Sequence, residues 1–361
     1  MGYKTAIQIN NRKISLDRPA YFIADIAANH DGDIDRAKLL IRLAKESGAD
    51  AVKFQHFLAE KIVSDYGFTN LSAKIGHQSG WKKSVVETYK DYQCPRDWTK
   101  ELLHTAHKAG IDFFTTPYDT EAVDTFADIV PAFKIGSGDI TWTEFIEYIA
   151  KKGKPVLIAT GASSMRDVER AVDAVTRHTG DIALLQCNTN YTGDRSNFQY
   201  INLNVLKSFS ERYPGMILGL SDHTTGHTTV LGAITLGARI IEKHFTDDNT
   251  REGPDHAFSM NSRRWKEMIF AARDLEAALG SGVKEIEENE MGTLIVQRRC
   301  IRASREIKSG TILSHADIEI LRPNTKGAFQ PYDIELVLRK KIIVGKKHGQ
   351  EIMPSDLEEY S

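Results

Sequence analysis

Lys53, Lys134 and Lys243 each lie at the polar end of a short apolar run, in the segments ADAVKF, PAFKIG and ARIIEKH. Three ammonium groups gathered at one place are costly through desolvation and mutual repulsion unless anions sit among them. An anionic ligand is therefore expected. Thr116, Ser137, Asn188 and Ser221 end neighbouring runs, and their hydroxyls and amide suit phosphate or carboxylate oxygens. Taken singly, each lysine has a plainer reading as the partner of Asp25, Asp139 or Glu242. His223 and His244 end the last two runs. Two imidazoles completed by water or carboxylate suit a divalent transition metal of manganese, cobalt or zinc type. The loop Arg251-Glu252-Gly253-Pro254-Asp255-His256 follows, and Asp255 either holds a sugar hydroxyl or caps the turn. Cys187 has no base evident beside it and reads as a small packing residue. His104 and His107, at helical i,i+3 spacing, read as surface residues.

The elements that position these groups follow from a recurring pattern. Amphipathic helices ending in glycine precede short β-branched runs at ESG48ADAVKF, KAG110IDFFTT, KKG153KPVLIAT, HTG180DIALLQC and TLG237ARIIEKH. Glycine suits the left-handed residue past a helix, and runs apolar on both faces suit a buried parallel sheet. With YFIADI, PAFKIG and MILGLS there are eight runs by about residue 245. Eight βα units fit a closed (β/α)8 barrel better than an open sheet. A helix over 34–47 illustrates the helical half, with Ile34, Ala37, Leu40, Ile41 and Ala44 on one face and Asp33 or Asp35 at its start. Barrel sites lie at the carboxyl ends of the strands, where these runs place Asp25, Lys53, Gln55, Thr116, Lys134, Ser137, Asp139, Asn188, Thr189, Tyr191, Ser221, His223, Glu242, Lys243 and His244.

Residues 56–95 break the rhythm with Trp81, Tyr89 and Tyr92, and read as an insertion covering the barrel mouth or as an oligomer contact. The acidic, glycine-containing GSGVKEIEENE separates two domains, which gives a barrel over 1–280, a linker over 281–295 and a small β-rich domain over 296–361. Within the last, Gly310 to Asp317 and Gly349 to Asp356 share one spacing, which suggests a pseudo-symmetric pair of short-strand units.

A formal net charge of −2 supplies no basic field for nucleic acid or an anionic membrane, and neither is expected as a partner. No stretch approaches the ~18 apolar residues of a membrane span, and the N-terminal residues lack an apolar targeting core. Three scattered cysteines without CxxC pairing fit a reducing, cytoplasmic setting.

The ordered motifs IADIAANHDGD, GADAVKFQ, FFTTPYD, PAFKIGSGD, ATGAS, GLSDHT, GARIIEKHFT and EGPDH span nearly the whole chain. On these residues it resembles the N-acetylneuraminate (sialic acid) synthases, including the legionaminic and pseudaminic acid synthases, with a C-terminal part similar to the antifreeze-like (SAF, β-clip) domain. The resemblance implies condensation of phosphoenolpyruvate with an open-chain N-acyl hexosamine such as N-acetylmannosamine, with release of phosphate. It implies that Lys53, Gln55, Thr116, Lys134, Ser137, Thr189, Tyr191 and Ser221, with Asn188 beside them, hold phosphoenolpyruvate. His223 and His244 match metal ligands, for Mn2+ before Co2+ or Mg2+, Asp255 matches a sugar contact, and Asp25 is the expected catalytic carboxylate. Asp139 and Lys243 are counted with the substrate-binding set. Arg322 matches an arginine that caps the partner subunit's sugar site, which implies a domain-swapped homodimer. Asp25 and Asp139 stand where the family has glutamate, and Ala159 where it has serine. Two rival readings remain: a Schiff-base aldolase using a strand-end lysine, and a sugar-phosphate binding protein without activity.

Overall fold

The computed structural model describes residues 2–71, 78 and 81–358. The chain divides into two compact units, Met1–Gly280 and Ser281–Ser361. In the first, a hairpin of β1 (Ala6–Ile9) and β2 (Arg12–Ser15) precedes eight parallel strands. These are β3 (Tyr21–Asp25), β4 (Ala51–His56), β5 (Asp112–Pro117), β6 (Phe133–Ile135), β7 (Val156–Ala159), β8 (Ile182–Cys187), β9 (Ile217–Asp222) and β10 (Ala238–Thr246). Because β10 pairs with both β9 and β3, the sheet closes on itself as the expected (β/α)8 barrel.

Side chains alternate across a strand, and here the alternation separates two cores. Phe22, Val52, Phe113, Ile158, Leu184 and Ile241 pack outward under the helices. Tyr21, Ile23, Phe114, Leu157, Leu185, Ile217 and Ile240 fill the barrel interior, where Ile7, Ile9 and Ile14 of the hairpin join them. Each such side chain taken from water stabilises the fold by roughly 1.5–3 kcal/mol. Further along six of the strands the inward positions turn polar, at Asp25, Lys53, Thr116, Lys134, Ser221 and Glu242.

The helix Ile34–Glu46 begins at Asp33, whose side chain accepts from the backbone N–H of Asp35 and Arg36, and it buries Ala37, Leu40, Ile41 and Ala44. Gly48, Gly110, Gly153 and Gly237 take the left-handed conformation anticipated for them. Gly180 does not. Residues 2–4 run against it, Lys4 N–H bonding its carbonyl at 2.8 Å, and a Cβ there would stand 2.7 Å from the Gly2 carbonyl.

The segment after β4 forms short helices Ala59–Ile62, Asp65–Thr69 and Val85–Tyr92, the last opened by a reciprocal Ser84–Glu87 cap. In the second unit, residues 281–295, read as linker, include a 3-10 turn at Glu288–Glu290 and the start of the helix Met291–Gln297. Strands Cys300–Ala303 and Ile318–Leu321 pair antiparallel over a core of Ile301, Leu313, Val337, Ile342, Ile352 and Leu357. The short repeat has a structural counterpart: Asp317 and Asp356 are both buried. They accept from the backbone N–H three residues earlier, Ser314 at 2.9 Å and Met353 at 2.6 Å.

Candidate active site

The polar inward positions meet at the carboxyl ends of the strands, below a cavity of about 380 Å3. Asp25 and Lys53 are opposite one another in the β3–β4 register, and strand alternation aims both inward. Lys53 Nζ donates to Asp25 Oδ2 at 2.7 Å and to Thr116 Oγ1 at 2.9 Å, and Gln55 Nε2 donates to the same carboxylate oxygen at 3.0 Å. Burial pushes the Asp25 carboxyl up, but Lys53, His244 and Gln55 together outweigh it and hold it below the ordinary carboxylate value. Lys134 Nζ lies 3.4 Å from Glu242 Oε1, which also accepts from Ser221 Oγ at 3.0 Å. Glu242 Oε2 is buried without a hydrogen bond among the described residues. The plainer pairing of single lysines thus holds for Lys53 with Asp25 and for Lys134 with Glu242.

His223 directly follows β9 and His244 lies near the end of β10, with ring centroids 5.3 Å apart. His223 Nδ1 donates to the Asn188 carbonyl at 2.8 Å, which leaves Nε2 as its lone-pair nitrogen. His244 Nε2 is 3.7 Å from Asp25 Oδ2. Its Nδ1 is buried without a hydrogen bond among the described residues, 3.6 Å from Asp255 Oδ2. Burial takes the His244 imidazole down to about 3, reinforced by His223 and Lys53 against the pull of Asp25. For His223, burial is outweighed by Cys187 and the Asn188 carbonyl, so its value lies above the ordinary one. No group of three or more His, Cys, Asp or Glu side chains placed to hold a metal occurs among the described residues.

Around this pair the Tyr191 ring lies 4.2 Å from that of His223, centroid to centroid. Ser137 Oγ accepts from Gly161 N–H at 2.9 Å. A Cβ on Gly161 would collide with Thr189 Cγ2 at 2.5 Å and Ser137 Oγ at 2.8 Å, so only glycine lets these side chains approach. Asp139 lines the cavity, and burial pushes its carboxyl up to about 6. Asp255 Oδ2 accepts from Ala28 N–H at 3.1 Å, which ties the loop after β10 to the loop after β3.

Three sequence expectations are revised. Lys243 is not gathered with Lys53 and Lys134. One residue from Glu242 and His244, it points outward and forms a buried ion pair with Asp222 while donating to the Thr224 carbonyl at 2.7 Å. Asn188 offers its carbonyl, because its side-chain amide turns to the Tyr200 carbonyl at 3.3 Å. Cys187 does have a base beside it, since its thiol meets His223 as well as Ser137. Arg322, which the resemblance makes a cap on a partner's sugar site, lies exposed in the second unit.

Of the two readings of residues 56–95, the insertion covering the barrel mouth agrees with the cavity lining, which includes Trp81, Tyr89 and Tyr92; Phe57 and Tyr118 were not singled out. Phe57, Trp81, Tyr89 and Tyr118 line the aromatic side of the cavity, with Tyr89 centroids 5.2 Å from Phe57 and 6.1 Å from Trp81. The unusual aromatic content of residues 56–95 was the available signal. His104 and His107 are exposed, as expected. No described helix is long and apolar enough to cross a membrane.

Comparison with known proteins agrees with this geometry in both units. Residues 40–284 match the NeuB family and 298–358 the SAF domain. The chain is 32% identical over 362 residues to N,N'-diacetyllegionaminic acid synthase of Legionella pneumophila, covering 97% of this chain and 99% of that protein. It is 32% identical to N-acetylneuraminate-9-phosphate synthase of Homo sapiens, over 95% of this chain and 94% of that one. The solved N-acetylneuraminic acid synthetase of Leptospira borgpetersenii superposes with a TM-score of 0.70 at 28% identity, over 80% of this chain and 95% of that one. A family match across more than half the chain, with relatives similar over nearly its full length, leaves one conclusion: the chain belongs to the NeuB family.

Proposed function

We propose that this chain is a cytoplasmic synthase that condenses phosphoenolpyruvate with an open-chain N-acyl mannosamine-type sugar, giving a nonulosonic acid and phosphate with the help of a divalent metal. One observation carries the reading: two buried imidazoles face each other above the inward Lys53 and Lys134, beneath a cavity wide enough for a sugar. Lys53 and Lys134 supply positive charge for the phosphate and carboxylate of phosphoenolpyruvate, and Ser137, Thr189 and Ser221 supply hydroxyls. Asp25, ionised and held by Lys53 and Gln55, accepts a proton from the water that adds to C2. Asp139 and Asp255 receive sugar hydroxyls at the cavity wall.

The imidazoles fit a metal such as Mn2+, because His244 Nδ1 is buried with no hydrogen bond among the described residues and His223 Nε2 is the nitrogen that the Asn188 carbonyl leaves over. Water or substrate would complete the shell. When bound, the metal supplies Lewis-acid polarisation of the sugar aldehyde. A Schiff-base route requires an unengaged amine, and ion pairs occupy both inward lysines. A binding-only protein has no need of a carboxylate held 3.7 Å from one of the imidazoles.

The cavity wall refines the acceptor. Among the described residues it carries Asp139 and Asp255 but no lysine or arginine, and one side is aromatic. That surface repels a sugar phosphate and favours an uncharged sugar with apolar N-acyl edges. Phosphate release from phosphoenolpyruvate, assayed with N-acetylmannosamine, its 6-phosphate and a di-N-acetyl trideoxy sugar, tests the proposal. Chelation should abolish release and Mn2+ restore it, and His223→Ala and His244→Ala should lose bound metal while staying folded. Full turnover after exhaustive chelation would overturn the metal, and a preferred 6-phosphate would overturn the acceptor.

A further inference from the structure

A charged clamp outside the cavity holds the loop that carries Asp255. His256 is fully buried, with Nδ1 2.8 Å from Thr246 Oγ1 and Nε2 2.8 Å from Asp31 Oδ1. Arg251 Nε donates to Asp31 Oδ2 at 2.9 Å, and Arg36 Nε lies 3.1 Å from the same oxygen. Arg36 also bonds both carboxylate oxygens of Asp247. One carboxylate in the loop after β3 thus grips the loop after β10 at 251 and 256, on either side of Asp255.

One further feature marks this as a built junction. A Cβ on Gly253 would lie 2.7 Å from His256 Cδ2 and 3.5 Å from Asp31 Oδ1, so the loop backbone presses directly on the Asp31–His256 contact.

We infer that Asp31 is a positioning residue for the sugar: through His256 and Arg251 it fixes the 251–256 loop, and with it the carboxylate of Asp255 at the cavity. This rests on the sugar-binding reading of Asp255. Asp31→Asn keeps the shape but removes the charge that faces His256, Arg251 and Arg36. Its sugar KM should rise about tenfold or more while the phosphoenolpyruvate KM stays within about twofold. In an Asp255→Asn background the same change should add almost nothing to the sugar KM, because Asp31 acts through Asp255. Independent additive losses, or an equal rise in both KM values, would mean a merely structural role and overturn the inference. Amide hydrogen exchange supplies a readout independent of turnover: residues 250–256 should exchange at least about tenfold faster in Asp31→Asn. Unchanged exchange there overturns the clamp even if the synthase reading stands. Absent phosphate release from the wild type, with faster loop exchange in the variant, would instead fault the synthase reading. Should Asp31→Asn fail to fold, Arg251→Gln, at a partly exposed arginine, should move exchange the same way by a smaller factor, and no change would again overturn the clamp.

Discussion

Lys53 and Lys243 are chemically alike, equally buried and both ion-paired, yet their tasks differ because of strand parity. Lys53 shares an inward position with Asp25 and Thr116. Lys243 faces the helices, where Asp222 also accepts from Thr229 Oγ1 at 2.6 Å and Thr224 Oγ1 at 2.8 Å. Removing one partner of such a buried pair leaves the other charge uncompensated, at about 3–5 kcal/mol. Lys243→Met should therefore lower unfolding free energy by about that much, with phosphoenolpyruvate affinity unchanged in the folded fraction. Lys53→Met should weaken phosphoenolpyruvate by about tenfold or more, since it removes a charge that meets the ligand. Calorimetric titration at a temperature where both variants are folded distinguishes the two. Loss of affinity in Lys243→Met would return that lysine to the site.

At the scale of elements, two histidines record how tightly the layers pack. His56 ends β4 with Nδ1 2.8 Å from Thr115 Oγ1 and its ring against Phe126, while Nε2 is buried without a hydrogen bond among the described residues. Burial, aided by Arg96 and His30, lowers its value to about 3. His30 falls to about 4 through burial, with Asp31 opposing and Arg36 reinforcing. The unfolded chain takes up these protons near the ordinary histidine value of 6.5 and the folded chain does not. Stability is therefore fully present above about 6.5 and is lost as pH falls toward the folded values, at no more than about 1.4 kcal/mol per pH unit for each histidine. Urea unfolding between pH 7 and 5 should show this slope, and His56→Leu should reduce it. An unchanged slope in the variant would mean that His56 takes up its proton in the folded state as readily as in the unfolded one.

For the whole molecule, we propose that Arg322 of a partner chain, in a swapped dimer, completes the sugar site. Arginine suits capping because its planar fork bonds sugar oxygens or an N-acyl carbonyl and remains charged. Mixing Arg322→Ala with Asp25→Ala under conditions of subunit exchange tests it. If caps are exchanged, half-mutant dimers contain one barrel with Asp25 intact and an intact Arg322 over it, so activity should exceed that of either parent. Activity that stays at parental levels after demonstrated exchange would place the cap within one chain.

Much of this was open to reading in one dimension. Apolar runs of strand length, each behind an amphipathic helix, dictate a parallel sheet because both faces of every strand must be covered, and eight of them fit a closed barrel better than an open sheet. The polar residues ending those runs marked the end of the barrel where chemistry collects. The side of the strand each residue serves was decided by tertiary structure, because a period of two sends neighbours such as Glu242 and Lys243 to opposite faces. Run boundaries alone leave that parity open. The same holds for Cys187 beside His223, which are 36 residues apart in sequence and meet because β8 and β9 are neighbours. It holds too for the aromatic wall, since residues 56–95 have no repeating pattern to declare what they face. Periodicity fixes elements through short-range backbone geometry, whereas contacts between distant segments depend on barrel closure and register, which no local pattern encodes.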